Sequence, residues 1–432
     1  MRSRRVFGCL FAVSLLAAAC TGGEEDAGSD QTNQTGTQEP VTLEFWSYEE
    51  GRDSPYAGVM AEAFESEHPN IHINYTYYPS ENYNVKVSTA IAAGKAPDLI
   101  LAFDLNLLIE GQLLPLDDLV AEKGIDLSTY NQGIIRGPGE FSCSWEGQLY
   151  CLASNQDGWA VFYNKDMFDA AGVAYPAAWP PMTVEEFADI SCRLTDEEAG
   201  VWGAGVPMFL PYEIYVSPDG RTAQGYLNGP ETVHEFDVLS GIVRDGCSPT
   251  ANVIDPWDES VDFFTTGALA MAVGDVGSSP KQFENAGIDY GVTAPPTPPG
   301  VEPFFDVYGD NTGVLKTSEH PEEAMEFVAW LATEGQRIAY ETEGSIPIDN
   351  LIAEEIDWAQ GIPGRLDILE VLSHARPPIF IPNKWDVLGP LFDAWGYTTG
   401  GEKTAQQAMD DAAEAVQENL DNAWETWDQQ NA

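Results

Sequence analysis

Apolar residues fall into two kinds of spacing along this chain, and each kind names its element. Val41 to Tyr48 (VTLEFWSY) alternates apolar and polar positions, which predicts a strand. Tyr56 to Glu67 brings Val59, Met60, Ala63 and Phe64 to one face of a helix. Ile71, Ile73, Tyr75 and Tyr77 alternate again. Val85 to Ala93 has helical spacing and stops at Gly94, and Asp98 to Phe103 (DLILAF) is a dense strand. A strand–helix–strand–helix–strand order implies a parallel sheet with crossover helices. Ligands on such sheets sit beyond the carboxyl ends of the strands. Here those ends carry Trp46, Ser47, Tyr48, Glu49, Tyr78 and Asp104.

The pattern continues with a strand at Trp159–Tyr163 and a helix at Lys165–Ala171. A helix over Val184–Leu194 has Thr183 as its N-cap, and a longer one covers Thr232–Asp245. Leu269–Val273 and Ile288–Val292 read as strands. Glu322–Leu331 and Gln336–Tyr340 read as helices, and Thr404–Gln429 as a long amphipathic one. No internal repeat is visible. Two α/β bodies fit 432 residues better than one.

The first forty residues carry a different pattern. Arg2, Arg4 and Arg5 precede an apolar run, Val6 to Ala19, too short for a comfortable membrane span. That is the layout of a signal peptide over residues 1–19. The run ends Leu-Ala-Ala-Ala-Cys at Cys20 and resembles the bacterial lipoprotein signal, which implies cleavage before Cys20 and a lipid on its sulfur. Residues 21–40 (TGGEEDAGSDQTNQTGTQEP) cannot bury a core and read as a flexible tether.

Asp and Glu number 70 against 19 Lys and Arg, a formal net charge of −51. Such a field repels phosphate backbones and argues against nucleic acid as a partner. No polybasic tract is present to dock on anionic lipid. Cys9 lies in the apolar run and Cys20 at its end, leaving Cys143, Cys151, Cys192 and Cys247. An even number in an exported chain favours disulfides. Cys143 and Cys151 flank Ser-Trp-Glu-Gly-Gln-Leu-Tyr, where Glu146-Gly147 supplies a hairpin turn, so they are paired; Cys192 and Cys247 are the remaining couple. The five His are scattered, no CxxC occurs, and Pro69 separates His68 from His72, so no metal site or cofactor is expected. GxSxG, HExxH, P-loop and GxGxxG motifs are also missing from the sequence, and no enzymatic activity is expected.

From Val41 onward the chain resembles the extracellular solute-binding proteins of ABC importers, in the sugar-binding branch that includes the maltose- and oligosaccharide-binding proteins. The resemblance rests on an ordered series: VTLEFWSY, AAGKAPDLIL, GQLLPLDDLV, WAVFYNKDMFDAAGV, YPAAWPPMTVEEFADI, FTTGALAMAVGD, HPEEAMEFVAWLATEGQ and GSIPI. It implies an α/β fold of the type II periplasmic binding protein kind, two lobes joined by crossing hinge segments. The crossings would fall near Asn155–Gly158, near Tyr308–Asn311 and near residue 355. The lobes would then be residues 41–156 with 311–357, and residues 157–310 with 358–432.

The same resemblance implies the site. Tyr48 and Glu49 fall on the first-strand loop, Asp104 after the Pro-Asp strand, and Asp157 at a hinge position. Tyr212 falls in the stretch that supplies a stacking aromatic from the second lobe, and Trp385 near a helix start in PNKWDVLGPLFDAW. Trp46 divides evenly between core packing and ligand contact. Gly277 stands where many sugar binders carry a Trp. Stacking aromatics suit the C–H faces of a sugar ring, and carboxylates accept from its hydroxyls. The implied role is a monomeric, lipid-anchored subunit on the outer face of the cell membrane, handing a carbohydrate to a membrane permease. A polyamine or other cation in the same cleft, and a secreted glycosidase with two carboxylates across it, are the competing readings.

Overall fold

The computed structural model describes residues 40–48, 56–101, 107–108, 110–135, 143–206, 215–254, 259–305, 307–376 and 379–430. The expected signal, Cys20 and the tether up to residue 39 lie outside this range.

Two sheets organise the body. The first has the order β2-β1-β3-β11-β6, built from β1 (Val41–Tyr48), β2 (Ile71–Tyr78), β3 (Leu99–Leu101), β6 (Cys151–Ala153) and β11 (Asn311–Val314). β1 is parallel to both β2 and β3, as the strand–helix alternation requires. β11 runs antiparallel to β3 and to β6. It breaks the parallel pattern because it enters after a long excursion through the second sheet, from the opposite end. The second sheet has the order β10-β7-β9-β8, from β7 (Trp159–Asn164), β8 (Trp202–Ala204), β9 (Leu269–Asp275) and β10 (Tyr290–Thr293). A small hairpin pairs β4 (Ser144–Trp145) with β5 (Gln148–Leu149). Glu146 and Gly147 both take positive φ at its tip, the geometry of a two-residue hairpin turn.

Local chemistry explains the elements. In β1, Leu43, Phe45 and Ser47 are buried, while Trp46 and Tyr48 alternate onto the other face and are only partly covered. The helix Val184–Leu194 opens with a reciprocal capping box: Thr183 Oγ accepts from the Glu186 N–H, and the Glu186 carboxylate accepts from the Thr183 N–H. The helix Ser80–Ala92 begins several residues before Val85, and its Tyr83 is wholly buried. The C-terminal helix Ala405–Gln430 buries Ala408, Met409, Ala412, Val416 and Leu420 against Leu391, Val387 and Phe236.

Cys143 is bonded to Cys151 across the hairpin, and Cys192, on the helix Val184–Leu194, to Cys247, just past the end of the helix Pro230–Arg244. No described helix is long and apolar enough to cross a membrane.

Candidate functional site

The chain passes from the first sheet to the second between β6 and β7, and returns between β10 and β11. These two crossings lie side by side. Asp157 and Tyr308 exchange backbone hydrogen bonds, the N–H of Asp157 to the Tyr308 oxygen at 2.7 Å and the reverse at 3.0 Å. Asn155 Nδ2 donates to Asp310 Oδ2 at 2.7 Å, and the Asp310 N–H donates back to Asn155 Oδ1 at 2.8 Å. Gln156 ties the same crossing to a third stretch: its N–H donates to the Ile346 oxygen and its Nε2 to the Pro347 oxygen. Asn155 and Gln156 are buried, and these bonds compensate the loss of their water.

Asp157 is the densest polar point of this junction. Its Oδ1 accepts from the N–H of Gly158 at 2.7 Å and of Gly277 at 2.9 Å. Asp275 Oδ1 accepts from the same Gly277 N–H at 3.0 Å and from that of Ser278 at 2.9 Å. Tyr308 Oη donates to Asp275 Oδ2 at 3.0 Å. Burial, then the neighbouring Asp275 carboxylate, push the Asp157 carboxyl well above the usual range, against the two backbone donors that favour its anion. A Cβ on Gly277 would lie 2.5 Å from Asp157 Oδ2. The sequence marks Gly277 only as a missing aromatic; the structure gives its reason, since a side chain there would collide with Asp157.

At the carboxyl end of β1, Trp46 meets Tyr78 edge-on at 4.9 Å, and Tyr48 meets Tyr83 at 5.7 Å. Tyr83 Oη reaches the backbone oxygens of Trp46 and Leu101, pinning β1 to β3. Trp46, Tyr48, Tyr78, Trp145 and Phe380 all pack on one buried cluster that includes Val87, Ile100 and Leu113. Trp46 and Tyr48 therefore stand half-buried at the strand end, beside their aromatic partners. Glu49, Asp104 and Tyr212 lie outside the described residues. Trp385 belongs to the helix Lys384–Leu388, but its side chain is outside the described portion. The sequence places Tyr78 at a strand end and Tyr308 at a crossing, but singles out neither Asp275 nor Phe380. Asp275 ends the quoted AMAVGD stretch, yet nothing there reveals that it meets Asp157.

A surface depression of about 590 Å³ lies away from the crossings, lined by Arg221, Trp424 and Asp428 among others. Its walls satisfy each other: Arg221 makes two hydrogen bonds to Asp428 and lies 3.8 Å over the Trp424 ring. Among the described residues no His, Cys, Asp and Glu group is arranged to hold a metal ion.

The described chain is thus built as two sheet bodies joined by adjoining crossings. The sequence model of the bacterial extracellular solute-binding protein family matches residues 46–338, and the chain belongs to that family. The sn-glycerol-3-phosphate-binding periplasmic protein UgpB of Escherichia coli K12 is 27% identical over 278 residues, 59% of this chain and 61% of that protein. UgpB of Shigella flexneri serotype 5b matches to the same extent. The chain thus spans about 61% of the length of these curated relatives. Among solved structures, the ABC substrate-binding protein Lmo0181 of Listeria monocytogenes, in complex with cycloalternan, superposes with a TM-score of 0.73 at 21% identity, covering 88% of this chain and 99% of that one. The GacH receptor of Streptomyces glaucescens, known unliganded and with acarbose, gives 0.71 at 21% identity over 89% and 99%. The fold is the type II periplasmic binding protein fold, two α/β lobes joined by crossing segments.

Proposed function

We propose that the chain is the substrate-binding subunit of an ABC importer and that it closes its two lobes on a neutral carbohydrate. The observation that carries this reading is the junction itself, where adjoining crossings allow hinge closure between two sheet bodies, with half-buried aromatics at the end of β1. The lobes would be residues 41–156 with 311–357, and 157–310 with 358–432. The solved relatives named with cycloalternan and acarbose support an oligosaccharide. Tyr48, Glu49, Asp104, Asp157, Tyr212 and Trp385, with Trp46 at the margin, would line the cleft. Its task is capture and delivery to a permease, without turnover. A phosphorylated polyol, the ligand in the name of UgpB, fits less well. The formal charge of −51 and the two carboxyl groups at the junction oppose an anion.

A thermal-shift screen of the full chain tests this directly, because a ligand that binds only the native state must raise its apparent stability. Oligosaccharides should raise the melting temperature, while polyamines and glycerol-3-phosphate should not. Stabilisation by spermidine alone would transfer the cleft to cations. For the hit, Trp385→Ala should weaken binding roughly thirtyfold, the equivalent of about 2 kcal/mol for an interface aromatic. Unchanged affinity in a folded variant would remove Trp385 from the site. The chain is further proposed to be held to the membrane surface by a lipid on Cys20, acting as a monomer. Cys20→Ser should move it from the detergent phase to the aqueous phase, and retention in detergent would end that reading.

A further inference from the structure

We propose that the two lobes turn about three points, one on each crossing: the peptide between Gln156 and Asp157, Gly309, and Trp358. At each point the groups on either side are fixed to opposite bodies, so the rotation is confined there. The proposal rests on the two-lobe fold and not on the identity of the ligand.

On the first crossing, the two sides of one peptide are anchored differently. Gln156 is tied to the first body. Its Nε2 donates to the Pro347 oxygen at 2.8 Å, its N–H to the Ile346 oxygen at 2.9 Å, and its Oε1 accepts from Asn131 Nδ2 at 2.7 Å. The Asn131 N–H in turn donates to the Ile348 oxygen, and the helix Gln132–Ile135 that follows packs on β6. Asp157 is tied to the second body. Its Oδ1 accepts from Gly158 and from Gly277, just beyond β9, and the chain then enters β7, which pairs with β9 from Trp159 onward.

The returning crossing shows the same division. Tyr308 is tied to the second body through its hydroxyl and Asp275, and Asp310 to the first through Asn155. Gly309 lies between them. Ala153 pairs with Asn311 at the end of the β6–β11 ladder, and Asp157 with Tyr308 beyond it. Residues 154–156 thus face only 309 and 310, which makes a β-bulge, the local break at which a ribbon bends. A Cβ on Gly309 would lie 2.5 Å from the Asn155 oxygen, so the two crossings touch there backbone to backbone.

On the third crossing, the buried Trp358 is held from both sides. Its indole N–H donates at 3.3 Å to the oxygen of Gly344, which ends the first-body helix Gly335–Glu343. Its own oxygen accepts from Arg365 Nη1 at 2.8 Å. Arg365 makes two further bonds to Glu284, on the helix Ser279–Ala286, whose Phe283 packs against Phe162 of β7. A few dihedrals at the ends of elements therefore absorb the closure. Lys281 also reaches across, to the Thr342 oxygen at 2.6 Å, but on a flexible stem that follows a rotation.

The distance between the lobes in the unliganded full chain tests this. Spin labels are attached through a ketone-bearing amino acid at two exposed positions, and their separation is read by pulsed electron resonance. Val85 serves on the helix Ser80–Ala92, which packs on β1, and Leu366 on the helix Pro363–Leu372, which packs on β10. Two variants each place a methyl group 2.5 Å from an oxygen. Gly309→Ala forces the crossings apart at the pivot and should shift the mean distance. Gly277→Ala strains only the second body, against Asp157, and should leave the distance at its wild-type value. Gln156→Ala adds no bulk but releases the first crossing from its anchor, and should broaden the distribution. Equal shifts in the two glycine variants, or none in Gly309→Ala, would overturn the proposal. Should Gly309→Ala fail to fold, Gln156→Ala decides: a broadened distribution supports the pivot and a wild-type width removes it.

Discussion

Trp145 meets Trp427 edge-on, with ring centroids 5.5 Å apart. The first stands on the disulfide-closed hairpin beside the first sheet, and the second on the C-terminal helix that packs with Leu391 and Val387. Phe380 lies against both, at 6.3 Å from Trp145 and 4.6 Å from Trp427. Trp427 is 8% exposed, so its removal leaves a large gap. Trp427→Ala should cost about 3 kcal/mol or more in urea denaturation. A double-mutant cycle with Trp145→Ala should return a coupling of about 1 kcal/mol. Strict additivity would mean the two rings do not support each other.

Gly277→Ala should destabilise the protein by about 1–3 kcal/mol, because the new methyl group overlaps the Asp157 carboxyl group. Much of that loss should be recovered in Asp157→Ala with Gly277→Ala, relative to the sum of the single variants. Equal melting temperatures for wild type and Gly277→Ala would mean that the backbone here moves aside freely.

Glu235 gives a pH dependence of defined sign. It is 1% exposed, its Oε1 has no hydrogen-bond partner, and its Oε2 accepts from Tyr215 Oη at 3.3 Å. Burial raises its pKa well above the ordinary value, so the folded protein keeps a proton that the unfolded chain gives up near about pH 4.3. Its contribution to stability is therefore whole below that pH and declines as pH rises toward the folded value. Glu235→Gln should raise the melting temperature at pH 8 more than at pH 5. The reverse order would show that the carboxylate is charged in the folded state.

The two disulfides should differ in worth. Chain-entropy reasoning gives about 2.5 kcal/mol for a loop the size of Cys143–Cys151 and about 4 kcal/mol for one the size of Cys192–Cys247. The loops span sequence separations of 8 and 55 residues. Paired Cys→Ala variants compared in guanidinium should show that ranking, and a larger loss at the hairpin would assign it a role beyond loop closure.

Local periodicity carried much of the fold. The three parallel strands β1, β2 and β3, the Thr183 cap and both cysteine pairings were legible because each depends on residues or spacings visible in a short window or on parity. The start of the helix Ser80–Ala92 was not, since Ser80-Glu-Asn-Tyr-Asn84 shows no apolar period and Tyr83 alone anchors it. The Asp157–Asp275 contact joins residues 118 positions apart on different segments, which no local pattern encodes. Asp157 was placed at a hinge from the family resemblance, but its engagement by Gly158 and Gly277 emerges only from the packing of the crossings.

The position of β11 sets the timetable on which this chain can become a protein. β3 and β6 are separated in the first sheet by a strand that begins at Asn311. A polypeptide emerging from its amino end can assemble β1, β2 and β3, but the place beside β3 stays empty until Val314 has followed. The whole second sheet, β7 to β10, is synthesised in the interval. Closing so distant a contact is slow and leaves an open sheet edge exposed meanwhile. The first sheet therefore stays incomplete until the strands of the second have been made, and a chain that stalls before residue 311 cannot close it.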